Sequence, residues 1–124
     1  MIDIKGTSTF TQAAVSAART ATVTGTGFDV SAYNGNITFV QAIGTVSGTT
    51  PTLDGKIQDS ADDSSYADVS GATFTQVTAS TNVQSLNVDT RSVRKYLRYV
   101  GTIAGTSPVF NSFVMAIGEK QVAN

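Results

Sequence analysis

From residue 28 onward, apolar and polar positions follow a period near two, broken at regular intervals by turn chemistry. Phe28-Asp29-Val30 precedes Ser31-Ala32-Tyr33-Asn34-Gly35-Asn36, where Asn-Gly is a strong turn signal. Residues 37–43 (Ile-Thr-Phe-Val-Gln-Ala-Ile) are apolar on both faces, as a central sandwich strand would be. Residues 53–58 predict the next strand, 60–65 a polar tip and 66–69 a further extended run. Ser70-Gly71 ends that run, and residues 73–77, 83–88, 96–103 and 109–117 predict the remaining strands. Short strands about 8–12 residues apart predict a sandwich or barrel.

Residues 7–26 alternate Thr and Ser with small apolar residues. Ala13 to Ala18 would suit one helical turn, but Thr20-Ala21-Thr22-Val23-Thr24 keeps the strand period. With few large side chains, this stretch predicts either plain edge strands or an arm that orders against a partner. The expected division is an N-terminal arm or edge strands over 1–26, a β-sandwich over 27–118 and a C-terminal tail over 119–124.

One internal match has no gap. Residues 43–51 (Ile-Gly-Thr-Val-Ser-Gly-Thr-Thr-Pro) align with residues 100–108 (Val-Gly-Thr-Ile-Ala-Gly-Thr-Ser-Pro). Pro cannot donate to a ladder and belongs at a turn exit or a strand's first residue. Each copy therefore predicts a hairpin turning at Gly-Thr-x-Pro. The match itself reflects either two equivalent hairpins side by side or convergence in a Gly/Thr-rich chain.

Composition supports strands. The 124 residues suit one domain, and Val and Thr outnumber long helix formers: Glu119 is the only Glu, and Leu stands only at 53, 86 and 97. Net charge is −1, which argues against a globally basic nucleic-acid binder. There is no apolar run of about 18 residues to span a membrane. Met1 to Lys5 shows no secretory pattern. The chain has no His and no Cys, which removes imidazole and thiolate chemistry from catalysis and metal binding. No phosphate-gripping Gly-rich run is present. These features predict a chain that is not an enzyme and needs no cofactor.

Charge is placed unevenly. Four of the eight basic residues are Arg91, Arg94, Lys95 and Arg98; five of the nine acids are Asp54, Asp59, Asp62, Asp63 and Asp68. Arg94, Tyr96 and Arg98 would share one strand face, a composition enriched at protein interfaces and also suited to a phosphate backbone. Asp59, Asp62 and Asp63 offer oxygen ligands for calcium but lack the spacing of an EF-hand loop, so a solvated tip is the plainer expectation. In an oligomer, the basic strand of one subunit would face the acidic loop of its neighbour. The interface candidates are Arg91, Arg94, Lys95, Tyr96, Arg98, Asp59, Asp62, Asp63 and, in the N-terminal stretch, Phe10.

The order of these segments resembles a known group. Residues 35–40 (Gly-Asn-Ile-Thr-Phe-Val) precede 53–60 (Leu-Asp-Gly-Lys-Ile-Gln-Asp-Ser). Then come 62–72 (Asp-Asp-Ser-Ser-Tyr-Ala-Asp-Val-Ser-Gly-Ala) and 94–100 (Arg-Lys-Tyr-Leu-Arg-Tyr-Val). Over residues 28–118 this looks like the small β-sandwich proteins encoded among the head genes of tailed bacteriophages. The resemblance implies a capsid decoration, or cement, protein with a jelly-roll-like antiparallel β-sandwich of about eight strands. It implies synthesis in the host cytoplasm, a place on the capsid exterior and the major capsid protein as partner. It also implies a homo-oligomer, in many members a trimer, that clamps neighbouring capsomers, with no nucleic-acid or membrane partner. The same block also resembles carbohydrate-binding and discoidin-like sandwiches, which implies a glycan- or receptor-binding module of a virion appendage.

Overall fold

A computed structural model describes residues 8–33 and 35–119, the side chains of 8–10, 15, 16 and 119 excepted. The chain is all-β. Its strands are β1 (Ser8–Arg19), β2 (Val23–Thr24), β3 (Phe28–Asp29), β4 (Asn36–Ser60), β5 (Ala67–Thr73), β6 (Asn82–Asp89) and β7 (Tyr96–Glu119), with one 3-10 turn at Thr90–Ser92. All pairings are antiparallel and belong to one sheet that curls on itself. The described residues form seven strands, in keeping with the all-β antiparallel expectation, but the divisions differ. Residues 37–43 join 53–58, and 96–103 join 109–117, as long strands. β5 runs through Ser70-Gly71, and the expected strand at 73–77 is reduced to a bridge between Val77 and Leu53.

The long strands β4 and β7 form a ribbon that bends at its middle, and its two halves lie against each other. One layer holds β1, residues 110–119 of β7, residues 36–43 of β4, and β6. The other holds β2 and β3, residues 96–103 of β7, residues 53–60 of β4, and β5. Between them Ile37, Phe39, Ile57, Leu97, Tyr99 and Val114 form the main core, with Phe28 and Phe39 rings 6.1 Å apart across the layers. A second cluster of Ile43, Leu53, Val77 and Phe110 fills the inside of the bend. Burial alternates along 37, 39, 41 and 43, as a period-two strand requires.

The expected hairpins at Gly-Thr-x-Pro do not form. The two matching segments instead run antiparallel through the bend, with Ser47 opposite Val109, Thr49 opposite Thr106 and Thr52 opposite Ala104. Register shifts lie between these pairs, so the extra residues are absorbed as bulges rather than as turns. Backbone signs repeat in both copies: φ is positive at Gly48 (112°) and Thr50 (47°), and at Gly105 (117°) and Ser107 (48°). A Cβ on Gly48 would fall 2.6 Å from the Ser107 carbonyl oxygen, and one on Gly105 would fall 2.7 Å from that of Thr50. A pseudo-two-fold axis therefore passes between Thr49 and Thr106.

That symmetry extends through the domain. Exchanging β1 with β5, β2 and β3 with β6, and β4 with β7 leaves the set of strand pairings unchanged. Each half of the chain contributes short strands that pair only with the long strand of the other half. Residues 8–19 and 23–24 thus belong to the sheet: β1 is the edge of one layer and β2 lies on the edge of the other. Of the expected C-terminal tail, Glu119 closes β7 and residues 120–124 lie outside the described residues.

Candidate functional site

The outward face of the β2–β3–β7–β4–β5 layer carries the polar candidates. Register sets Asp68, Gln58 and Arg98 in one transverse row. Gln58 donates from Nε2 to Asp68 Oδ1 at 2.8 Å and accepts from Arg98 Nε at 2.9 Å. Lys56, two residues along β4 and on the same face, reaches Asp68 Oδ1 at 3.0 Å. The Arg98 guanidinium lies 4.0 Å from the Tyr66 ring centre. The Tyr66 hydroxyl donates to Asp63. A continuous chain thus runs Lys56–Asp68–Gln58–Arg98–Tyr66–Asp63.

Arg94 and Asp59 are joined in the same molecule. Arg94 donates from Nε and Nη2 to Asp59 Oδ1 at 3.1 and 2.9 Å, and its backbone N–H donates to Oδ2 at 3.1 Å. Nη2 also reaches the Asp59 carbonyl at 2.9 Å. The basic strand and the acidic loop therefore meet within one chain, and these pairs are made without a neighbouring subunit. Arg91 pairs with Asp89 at 3.2 Å, and Lys95 stands 3.9 Å from Asp29 and 5.5 Å from the Tyr96 ring centre. Arg91, Arg94 and Lys95 border an open cleft of about 380 Å³ over Val30, Tyr33 and Val93. Phe10 sits opposite Ile117 on β1; its side chain lies outside the described residues.

The carboxylates of the acidic loop turn to separate partners. Asp62 Oδ1 accepts from the backbone N–H groups of Ser64 and Ser65, each at 3.0 Å, and from the Ser60 hydroxyl at 2.9 Å. Among the described residues no group of three or more acidic, His or Cys side chains is placed to hold a metal ion. The Asp62 carboxyl is held below its ordinary range, by the Ser65 N–H first, then by the Ser64 N–H and the Ser60 hydroxyl. Asp68 is held low chiefly by Gln58 and then Lys56. The Tyr66 hydroxyl is pushed up to about 12 by burial and by the Asp63 carboxylate beside it.

For Asp62 the linkage has a definite sign. A folded pKa below the unfolded one gives stability that is present above the unfolded value and is lost as pH falls through the folded one. The 60–66 loop is therefore expected to hold its geometry down to about pH 4 and to loosen below it. Hydrogen exchange of the Ser64 and Ser65 amides, rising relative to core amides on acidification, reads this directly. Flat relative protection down to pH 2 would contradict it.

The opposite layer presents a different outward face, which sequence reasoning missed. Register places Val83, Ala42 and Phe113 in one transverse row. Ser85, Val40, Met115 and Gln12 form the next, and Asn87, Thr38 and Ile117 the third. None of these positions carries a charge. Residues 37–43, apolar on both faces, carry the signal, but that pattern equally suits a strand covered on both sides. Sequence reasoning also missed Lys56 and Gln58, which alternate onto the polar face. No protein-family model matches the chain, and no curated protein matches it.

Proposed function

We propose that this protein is a virion structural protein that binds the outer surface of a phage capsid and clamps neighbouring capsomers, acting by surface adhesion and without catalysis. The observation that carries the proposal is the interlocked Arg98–Tyr66 face. Arg and Tyr are the residues enriched at interface hot spots, and here their rotamers are already held by Gln58, Asp63 and Asp68. Immobilising a free, rotamer-rich side chain on binding costs about 0.5–1.5 kcal/mol, so a face set beforehand loses less. The resemblance of residues 28–118 to phage head proteins supplies the partner, the major capsid protein. That assignment is an analogy at the level of fold and segment order.

A sugar-binding module needs exposed aromatic rings. Tyr33 and Tyr99 are buried, and the Tyr66 ring carries Arg98, so the glycan reading has less to rest on here.

The test is binding to purified shells that lack this protein. Wild-type protein is expected to co-sediment with the shells and to raise their melting temperature, since a ligand of the assembled state stabilises it. Arg98→Ala is expected to weaken binding at least tenfold, equivalent to about 1.4 kcal/mol, with an unchanged far-UV spectrum. No binding by the wild type, or equal binding by R98A, would overturn the proposal.

A further inference from the structure

We infer that the cleft at the end of the sandwich opposite the bend is a second binding site, for a short acidic peptide segment of a partner protein. The internal symmetry makes the β3–β4 and β6–β7 connections equivalent, and both cross between the layers at that end. They are pinned together twice. The Val30 N–H donates to the Lys95 carbonyl at 2.8 Å, and the Thr90 N–H and hydroxyl donate to the Gly35 carbonyl at 3.0 and 2.6 Å. Between the pins lies the cleft of about 380 Å³. That volume is near the lower end of the range for ligand pockets, which are usually preformed. The walls here are set beforehand. The Tyr33 N–H closes a turn on the Val30 carbonyl at 3.0 Å, and Asp89 caps the 3-10 turn by accepting from the Arg91 N–H at 2.9 Å.

Although equivalent in position, the two connections differ in chemistry. The first gives an apolar wall, Val30 and Tyr33; the second brings Arg91, Arg94 and Lys95 around Val93. These cations keep donors to spare. Lys95 Nζ lies 3.9 Å from Asp29, beyond hydrogen-bonding distance, and makes no hydrogen bond among the described residues. Nη1 of Arg91 and Nη1 of Arg94 make none there either. Asp29, Asp59 and Asp89 stand beside the three cations, so the rim has no net charge. A polyanion such as a nucleic acid would gain little from it, since that binding needs unanswered positive charge. What the cleft offers is local: charged donors for one carboxylate, next to an apolar wall for the side chain beside it. Charge-assisted hydrogen bonds to a carboxylate are short and strong. Exposed ion pairs such as Arg91–Asp89 contribute little, so exchanging one for an incoming carboxylate loses little. The inference does not rest on shell adhesion, because neither Arg98 nor Tyr66 lines the cleft.

The experiment is binding of the full chain to an array of hexapeptides that combine Glu or Gln with Leu, Phe or Ala, followed by titration of the strongest in solution. The bound peptides are expected to place Glu next to Leu or Phe. Their Gln and Ala counterparts are expected to bind about tenfold more weakly, as loss of a charge-assisted bond or of apolar burial implies. Lys95→Gln and Ser31→Glu, both at exposed positions of the rim, are expected to weaken binding about fivefold with unchanged melting temperatures. S31E acts by setting a carboxylate against the incoming one. Arg98→Ala is expected to bind the peptide as the wild type does. An array without a bound peptide, binding that the Gln counterparts match, inorganic phosphate bound as tightly as the peptide, or indifference to both K95Q and S31E would overturn the inference. A wild type that binds shells but no peptide removes this inference and leaves the proposed function standing.

Discussion

Tyr99→Ala is expected to lower the free energy of unfolding by about 3–5 kcal/mol, the range for removing a large aromatic from a packed core. Tyr99 is 2% exposed, and its ring lies across Gly55 and Gly101, a cross-strand pair without side chains. A Cβ on Gly55 would fall 3.0 Å from one edge of the ring and one on Gly101 3.1 Å from the other. The glycines and the tyrosine are thus a single packing unit, with the edge of Phe74 set against the ring at 6.1 Å. Alanine here leaves a void bounded by backbone, which has little freedom to close.

The tyrosine hydroxyl adds a separable part. It donates to Gln41 Oε1 at 2.5 Å, fully inside the core and across the two layers, and burial raises its pKa, so it stays neutral at ordinary pH. Gln41 Nε2 is buried without a hydrogen-bond partner. Tyr99→Phe therefore leaves a buried acceptor unpaired and is expected to cost about 1–3 kcal/mol. Adding Gln41→Leu removes both remaining polar atoms, so the double variant is expected to recover most of that loss. Urea denaturation with constant m-value measures the cycle. A double variant as unstable as the sum of the singles would show that the amide has another buried partner.

The second large effect is expected at the pseudo-two-fold axis. Gly48→Ala and Gly105→Ala each force an L side chain into φ of 112° or 117° and against a backbone carbonyl of the facing copy. Each is expected to destabilise by about 2–3 kcal/mol, at the upper end for a strained backbone position. Because the two sites are equivalent, their costs are expected to agree within about 0.5 kcal/mol. The control is Gly35→Ala, also at positive φ, where a Cβ would have no neighbour within 4 Å; it is expected to cost less. A large inequality between G48A and G105A would break the symmetry assigned to the bend.

Much of this fold can be read from period and turn chemistry. Residues 83–88 lie within β6, and residues 37–43 and 53–58 within β4, where the pattern puts strands. The topology was less accessible, for a specific reason. A glycine with positive φ followed by Pro suits a hairpin turn and a bulge equally well, and only the facing strand decides between them. The gapless match of 43–51 with 100–108 was visible, but its meaning lies in a long-range pairing that local sequence does not encode. Within the site, the clustering of Arg91, Arg94, Lys95 and Arg98 was legible. That Asp59 would answer Arg94 in the same chain depends on the ribbon's register, which brings residue 59 beside residue 97. The apolar outer face was hidden by its own regularity. A strand apolar on both sides looks the same whether its outer side is covered by a further layer or faces outward.

The central proposal, adhesion of this protein to a phage shell, is tested most directly by locating its gene in a tailed-phage genome and imaging purified particles of that phage. The expected result is hundreds of copies on the outer surface, each with the Arg98–Tyr66 face against the shell. Density confined to a few copies on a tail appendage, or particles without the protein, would contradict it.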